Sequence, residues 1–162
     1  MFPDEEIQEF GLHCLREIST QEYNCVQFYF EQILNTTAAA TKSHSNKVGA
    51  QAFEYWTTLA ETEIDREQEG TSLKYIEKCQ EHLVPLVLQG LMIITFGEDE
   101  DDDEWGHALS AACCLQKLSI LLGNNLLNLV VQFVAANIQQ QDWKNKYAAL
   151  MALGSITEGP EK

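Results

Sequence analysis

Apolar residues recur every three or four positions along almost the whole chain, and no other feature restricts the fold as strongly. A sheet protein needs runs in which apolar and polar residues alternate, and such runs are missing. Only three prolines interrupt the 162 residues. The spacing therefore predicts an all-α protein of about seven antiparallel helices. The first carries the stripe Ile7, Phe10, Gly11, Cys14, Leu15 and Ile18, capped by Asp4 and ended by Ser19-Thr20. Val26, Phe30, Ile33 and Leu34 mark the second, and Val48, Ala52, Tyr55, Trp56, Leu59 and Ile64 the third. The fourth is expected from about Ser72 to Thr95, with a kink or restart near Leu83 caused by Pro85. Ala108 to Leu122 form the fifth and Leu126 to Gln139 the sixth, while Asp142-Trp143 opens the seventh.

Such helices could make a bundle, but the sequence repeats itself. Phe10-Gly11-Leu12-His13-Cys14-Leu15, Ala50-Gln51-Ala52-Phe53, Ala111-Ala112-Cys113-Cys114 and Ala148-Ala149-Leu150-Met151 each begin with small residues, and each falls in the second helix of a pair. Small residues let neighbouring helices approach closely where repeats stack. Recurrence at roughly 40 residues fits HEAT units and an α-solenoid. Asp142-Trp143-Lys144-Asn145-Lys146-Tyr147-Ala148-Ala149 has the form of a HEAT inter-helix turn: a capping aspartate, basic residues, then paired small ones. The expected division is a lone second helix at 4–19, then repeats at 21–67, 72–123 and 124–158. An unpaired helix at the start and an uncovered one at the end imply a piece of a longer superhelix.

Charge narrows the function. The formal net charge is −15, with 45% apolar residues. This surface repels nucleic acid and anionic membrane and attracts basic peptides. No apolar run approaches the roughly 20 residues of a membrane span, so no membrane insertion is expected, and the acidic start does not resemble a signal peptide. Five cysteines without CxxC spacing read as free, mostly buried thiols of a reducing compartment. There is no Gly-rich phosphate loop, HExxH or GxSxG, and the four histidines, His13, His44, His82 and His107, are scattered; an enzyme is not expected.

The sharpest compositional signal is the run of seven acids from Glu98 to Glu104, followed by Trp105. Charge runs are usually solvated loops. This one interrupts a helix pair and ends on an indole, which can hold a Lys- or Arg-rich segment by long-range attraction and cation–π stacking. It lacks the ligand spacing and central glycine of an EF-hand loop, so no metal site is expected. Trp56 is read as core and Glu54, Glu61, Glu63 and Asp65 as facing water, with Glu54 and Glu61, two turns apart on one side, extending an acidic face towards the loop. Phe28, Tyr29 and Phe30 are consecutive; spacing alone favours all three packing inside, although an exposed one would offer a peptide site.

Taken together, Glu98–Trp105 before a small-residue helix, Phe53-Glu54-Tyr55-Trp56, Asp142-Trp143-Lys144 with Ala148-Ala149, and Glu158-Gly159-Pro160-Glu161 resemble the central HEAT repeats of the importin β (karyopherin β) family. The resemblance covers essentially the whole chain, from the second helix of the sixth repeat through the ninth. It implies a nuclear transport receptor of cytoplasm and nucleus that works at the nuclear pore without cofactor. It also implies binding of basic cargo or the arginine-rich helix of importin α on the concave face of second helices, release by Ran-GTP, and contact with Phe-Gly nucleoporins on the convex side. On this resemblance Trp105 stacks on a basic segment. Asp101, Asp102, Asp103 and Glu104 face basic residues of that segment or of Ran, and Glu54 and Glu61 match acidic positions on the neighbouring helix. Tyr29 falls at a Phe-Gly pocket. The family's Asn-Pro helix start after the tryptophan is replaced here by Gly106-His107, and its proline is missing near Leu126. The alternative is a structural HEAT scaffold or adaptor subunit whose acidic loop only solubilises it.

Overall fold

A computed structural model describes residues 4–43, 45–94 and 106–157. The acidic run and Trp105 lie outside the described residues. The described chain forms α1 (Glu5–Gln21), a 3-10 turn (Tyr23–Cys25), α2 (Val26–Ala40), α3 (Asn46–Gln68), α4 (Tyr75–Gly90), α5 (His107–Leu122), α6 (Asn124–Asn137) and α7 (Trp143–Ser155). There is no strand among the described residues.

The helices sort into two layers. In one, α1 packs on α3, α3 on α5 and α5 on α7. The other holds α2, α4 and α6, each packed on the helix that follows it, with α4 also touching α6. This is the stacking of an α-solenoid of HEAT repeats. One apolar core runs between the layers and includes Phe53, Trp56, Leu59, Ile76, Leu83, Val87, Leu115 and Leu118. Trp56 is fully buried, as its spacing predicts, and its indole donates to Thr37 Oγ1 at 3.0 Å.

Small residues set the spacing of the layer formed by α1, α3, α5 and α7. Ala52, Ala111, Ala148 and Ala149 are fully buried. At Gly49 an added Cβ would stand 2.1 Å from His107 Nδ1, and at Gly90 it would stand 2.4 Å from Phe53 Cζ. At those two points the glycine backbone lies against a ring, Gly49 of α3 against His107 of α5 and Gly90 of α4 against Phe53 of α3, leaving no room for a side chain. Gly11, by contrast, has open space around it, so the first of the four small-residue patterns makes no such approach.

Two helix ends show how local sequence fixes the turns, and a third depends on a distant residue. The Asp4 carboxylate accepts from the backbone N–H of Glu6 at 3.0 Å, and Asp142 accepts from that of Lys144 at 2.9 Å, each the aspartate expected as a cap. The start of α4 is different. Lys74 precedes it with a left-handed φ of 57° and gives no side-chain cap. The cap comes instead from Glu63 on α3, which accepts from the N–H groups of Tyr75 at 2.6 Å and Ile76 at 3.0 Å. The Tyr23 hydroxyl donates to the same carboxylate at 2.7 Å and accepts from the N–H of Leu73 at 2.9 Å, while the Arg66 guanidinium lies over the Tyr23 ring.

Several expectations are corrected. Glu63 faces the core rather than water, with only 1% of its surface exposed, because three donors converge on it. α4 is shorter than 72–95, and it runs unbroken through Pro85. Pro85 and Glu81, whose carbonyl loses its helical donor, both lie on the exposed side, so water can satisfy that carbonyl while Leu83, Val84, Val87 and Leu88 stay packed. In α1 the face against α3 is Leu12, Leu15 and Ser19; Phe10, Cys14 and Ile18 point outward, and Ile7 is half exposed. The cysteines divide as well: Cys79 and Cys114 are buried, Cys113 is half-buried, and Cys14 and Cys25 are exposed.

Candidate peptide-binding face

Along α3 the residues left open by packing recur with the helical period: Gln51, Glu54, Thr58, Glu61 and Asp65. They form a ridge with α1 on one side and α5 on the other. Glu54 and Glu61 therefore lie together on the outer side of this layer, with 38% and 50% of their side chains exposed.

Both acids are engaged across the layer. The Arg16 guanidinium of α1 donates to Glu54. Lys117 of α5 pairs with Glu61 at 2.9 Å. Arg16 also donates to His13 Nδ1 at 2.7 Å, which makes that nitrogen the unprotonated one, and lies 3.8 Å from Glu17. Neither pairing was expected from the sequence. Helical spacing gives the face of each residue but not which positions meet on another helix.

The other candidate residues fall as follows. Asp101, Asp102, Asp103, Glu104 and Trp105 lie outside the described residues. Ile94, the last described position before them, has its carbonyl held by Lys144 Nζ of α7 at 3.1 Å. Tyr29 is on the opposite layer from Glu54, 62% exposed on α2 beside Phe28 at 70%. Phe30 alone of the three turns inward, stacked on Tyr75 with ring centroids 5.5 Å apart. The expectation that all three pack inside is thus corrected: consecutive helical positions are about 100° apart, and α2 presents only one face to its neighbours. An apolar cavity of about 390 Å³ opens between α1, α2 and α3, lined by Ile7, Gly11, Leu12, Thr36 and Val48.

Chemistry elsewhere is sparse. His107 is buried against the edge of the Phe53 ring, centroids 5.1 Å apart; its ring nitrogens have no hydrogen-bond partner among the described residues, and burial holds its pKa below the usual value. Burial pushes the Cys79 and Cys114 thiols up to about 12. Among the described residues no group of three His, Cys, Asp or Glu side chains could hold a metal, and no helix is long and apolar enough to cross a membrane.

Stacked helix pairs, with one ridge of carboxylates on one layer and exposed aromatics on the other, define a HEAT-repeat solenoid. No family model matches the chain. Importin subunit beta-1 of Saccharomyces cerevisiae is 35% identical over 168 residues, covering 98% of this chain and 19% of that protein. Importin subunit beta-1 of Arabidopsis thaliana is 30% identical over 168 residues, again covering 98% and 19%. Two solved structures agree. The yeast importin β Kap95p, in the structure whose subject is the switch loops of RanGDP, superposes with a TM-score of 0.88 at 35% identity, over 99% of this chain and 19% of that one. The Kap95:Nup1 complex gives 0.87 at 36%, over 100% and 20%. The chain belongs to the karyopherin β family, as importin β-type HEAT repeats. It spans about a fifth of the length of the curated relatives it matches.

Proposed function

We propose that this chain is part of a nuclear transport receptor and binds basic protein segments, without catalysis, on the layer formed by α1, α3, α5 and α7. The observation that carries the reading is the placement of Glu54 and Glu61 on the open ridge of α3, in an importin β-type solenoid of net charge −15. The proposed repeats are 21–67, 72–123 with the acidic loop at 98–104, and 124–158. In this reading Trp105 and Asp101, Asp102, Asp103 and Glu104 add an indole and four carboxylates to the same binding region. Its ligands are the arginine-rich helix of importin α, basic cargo and, during release, Ran-GTP. The structural relatives with RanGDP and Nup1 support the last partner class and a nucleoporin contact. Tyr29 and Phe28, exposed on the other layer, suit a Phe-Gly repeat. Such a receptor shuttles between cytoplasm and nucleus through the pore.

The test is titration with an arginine-rich importin-α-type helix at low and high salt, comparing the chain with Trp105→Ala. Binding that weakens with salt and with the substitution supports the reading. Absence of binding at low salt removes it, and indifference to Trp105→Ala removes that residue from the site.

A further inference from the structure

Glu54 and Glu61, two of the described acids of the proposed face, already hold cations of this chain. Arg16 reaches Glu54 from α1, and Lys117 reaches Glu61 from α5. Each pair joins successive helices of the layer, and each is partly open to solvent: 18% and 38% of the side chains in the first, 34% and 50% in the second. A basic ligand therefore meets two locally neutral pairs rather than two free carboxylates.

We infer that Arg16 and Lys117 are internal competitors for the basic ligand, so that binding at Glu54 and Glu61 is an exchange of cations. The inference rests on the reading of this face as a basic-segment site. Three features make the exchange feasible. The more exposed pair, Lys117 with Glu61, is weak and opens readily. Arg16 has fallback partners on its own helix, His13 Nδ1 at 2.7 Å and Glu17 at 3.8 Å, so its release does not strand a charge. Lys117 is more exposed than Arg16 and regains water.

The exchange also defines the ligand. Glu54 and Glu61 are seven residues apart on one helix, a rise of about 10.5 Å. A matching ligand carries two cations about 10 Å apart: seven residues apart on a helix laid along α3, or three apart on a polyproline-II chain, whose three-residue turn keeps both on one side. Arginine suits the Glu61 place, since its planar fork can take both carboxylate oxygens and so outcompete the single-point Lys117, while at Glu54 it meets Arg16 on equal terms. Because the opened pairs link α1 to α3 and α3 to α5, ligand binding also removes two cross-links of the layer. The competitors thereby set a threshold: a lone surface cation does not displace them, whereas a correctly spaced pair does.

The experiment is calorimetric titration of the full chain with a helical peptide bearing arginines seven residues apart, using wild type, Arg16→Gln/Lys117→Gln, Glu54→Gln/Glu61→Gln, and Lys74→Gln. The last is a matched control. It frees Glu77 from an exposed pair at the start of α4, with the Lys74–Glu77 distance 3.0 Å, and so removes a cation from the other layer. Loss of the two competitors is expected to tighten binding roughly 2- to 20-fold at low salt. The glutamine pair on α3 should weaken it, and Lys74→Gln should leave it within about twofold. Binding by the competitor-free variant alone would also support exchange. Unchanged or weaker binding by that variant overturns the inference while wild-type binding keeps the underlying reading intact, and equal tightening by Lys74→Gln overturns it in favour of general charge. Wild-type binding that ignores the loss of Glu54 and Glu61 overturns it too, and no binding by any variant removes the underlying reading with it.

Discussion

Replacing Glu63 with alanine tests how α3, α4 and the Tyr23 turn are joined. The carboxylate accepts three hydrogen bonds, from the N–H groups of Tyr75 and Ile76 and from the Tyr23 hydroxyl, at 2.6, 3.0 and 2.7 Å. A hydrogen bond to a charged group contributes about 1.5–3 kcal/mol, and the three share one acceptor, so they do not add fully. Removing the carboxylate also relieves the cost of burying it, which lowers the net effect. It leaves two helix-start donors and one hydroxyl without this acceptor, in a place that is almost closed to water. The net destabilisation expected is about 3–5 kcal/mol. Urea unfolding followed by circular dichroism reads this directly. With a slope of about 2 kcal/mol per molar, the midpoint falls by about 1.5–2.5 M. Glu61→Ala, which removes only the exposed pair with Lys117, is the comparison and should stay within about 1 kcal/mol of wild type. If Glu63→Ala proved as mild as Glu61→Ala, the remote cap would not hold α4 in place and this reasoning would be wrong.

Further predictions concern the core and its titrating groups. Gly90→Ala drives a methyl to within 2.4 Å of the buried Phe53 ring, and its overpacking cost of about 1–3 kcal/mol exceeds the propensity gain of about 1, so thermal melting should shift downward; an upward shift would contradict the close approach. A thiol reagent should modify Cys14 and Cys25 promptly in the native protein, whereas Cys79 and Cys114 should react only on unfolding, with peptide mapping distinguishing them. Burial keeps His107 neutral by lowering its folded pKa, so the unfolded chain binds the extra proton. Its contribution is complete above the unfolded value of about 6.5 and is lost as pH falls from there towards the folded value, by up to about 1.4 kcal/mol per pH unit. Stability curves at pH 7.5 and 5.5 should diverge less in His107→Gln, and equal divergence would remove His107 as the cause.

The architecture was legible because it is written in short-range terms. Apolar spacing gives seven helices, Asp4 and Asp142 mark their starts, and Ala52, Ala111 and Ala148 mark where helices stack. The errors came where a distant partner decides. Nothing near Glu63 in sequence shows that a helix start 12 residues later needs its carboxylate. Arg16 and Lys117 are ordinary surface cations until α1 and α5 are laid on either side of α3. Pro85 reads as a breaker, but the exposed side on which it lies tolerates the missing bond. Tyr29 and Phe28 are indistinguishable from Phe30 by composition; the position of Tyr75 selects which one turns inward. The acidic ridge itself was readable as a face, since Glu54 and Glu61 share one side of a helix, while its state of pairing was not.

Cross-linking shows where on the molecule a basic ligand sits. An arginine-rich helical peptide carrying a photoreactive residue at alternate positions would be cross-linked to the chain at low salt, and the modified residues identified by mass spectrometry. Cross-links are expected on the open ridge of α3 between Gln51 and Asp65, on flanking α1 and α5, and in the segment from Glu98 to Trp105, all lost at high salt. Cross-links concentrated on α2, α4 and α6, or the same pattern with Glu54 and Glu61 replaced by glutamine, would contradict this placement.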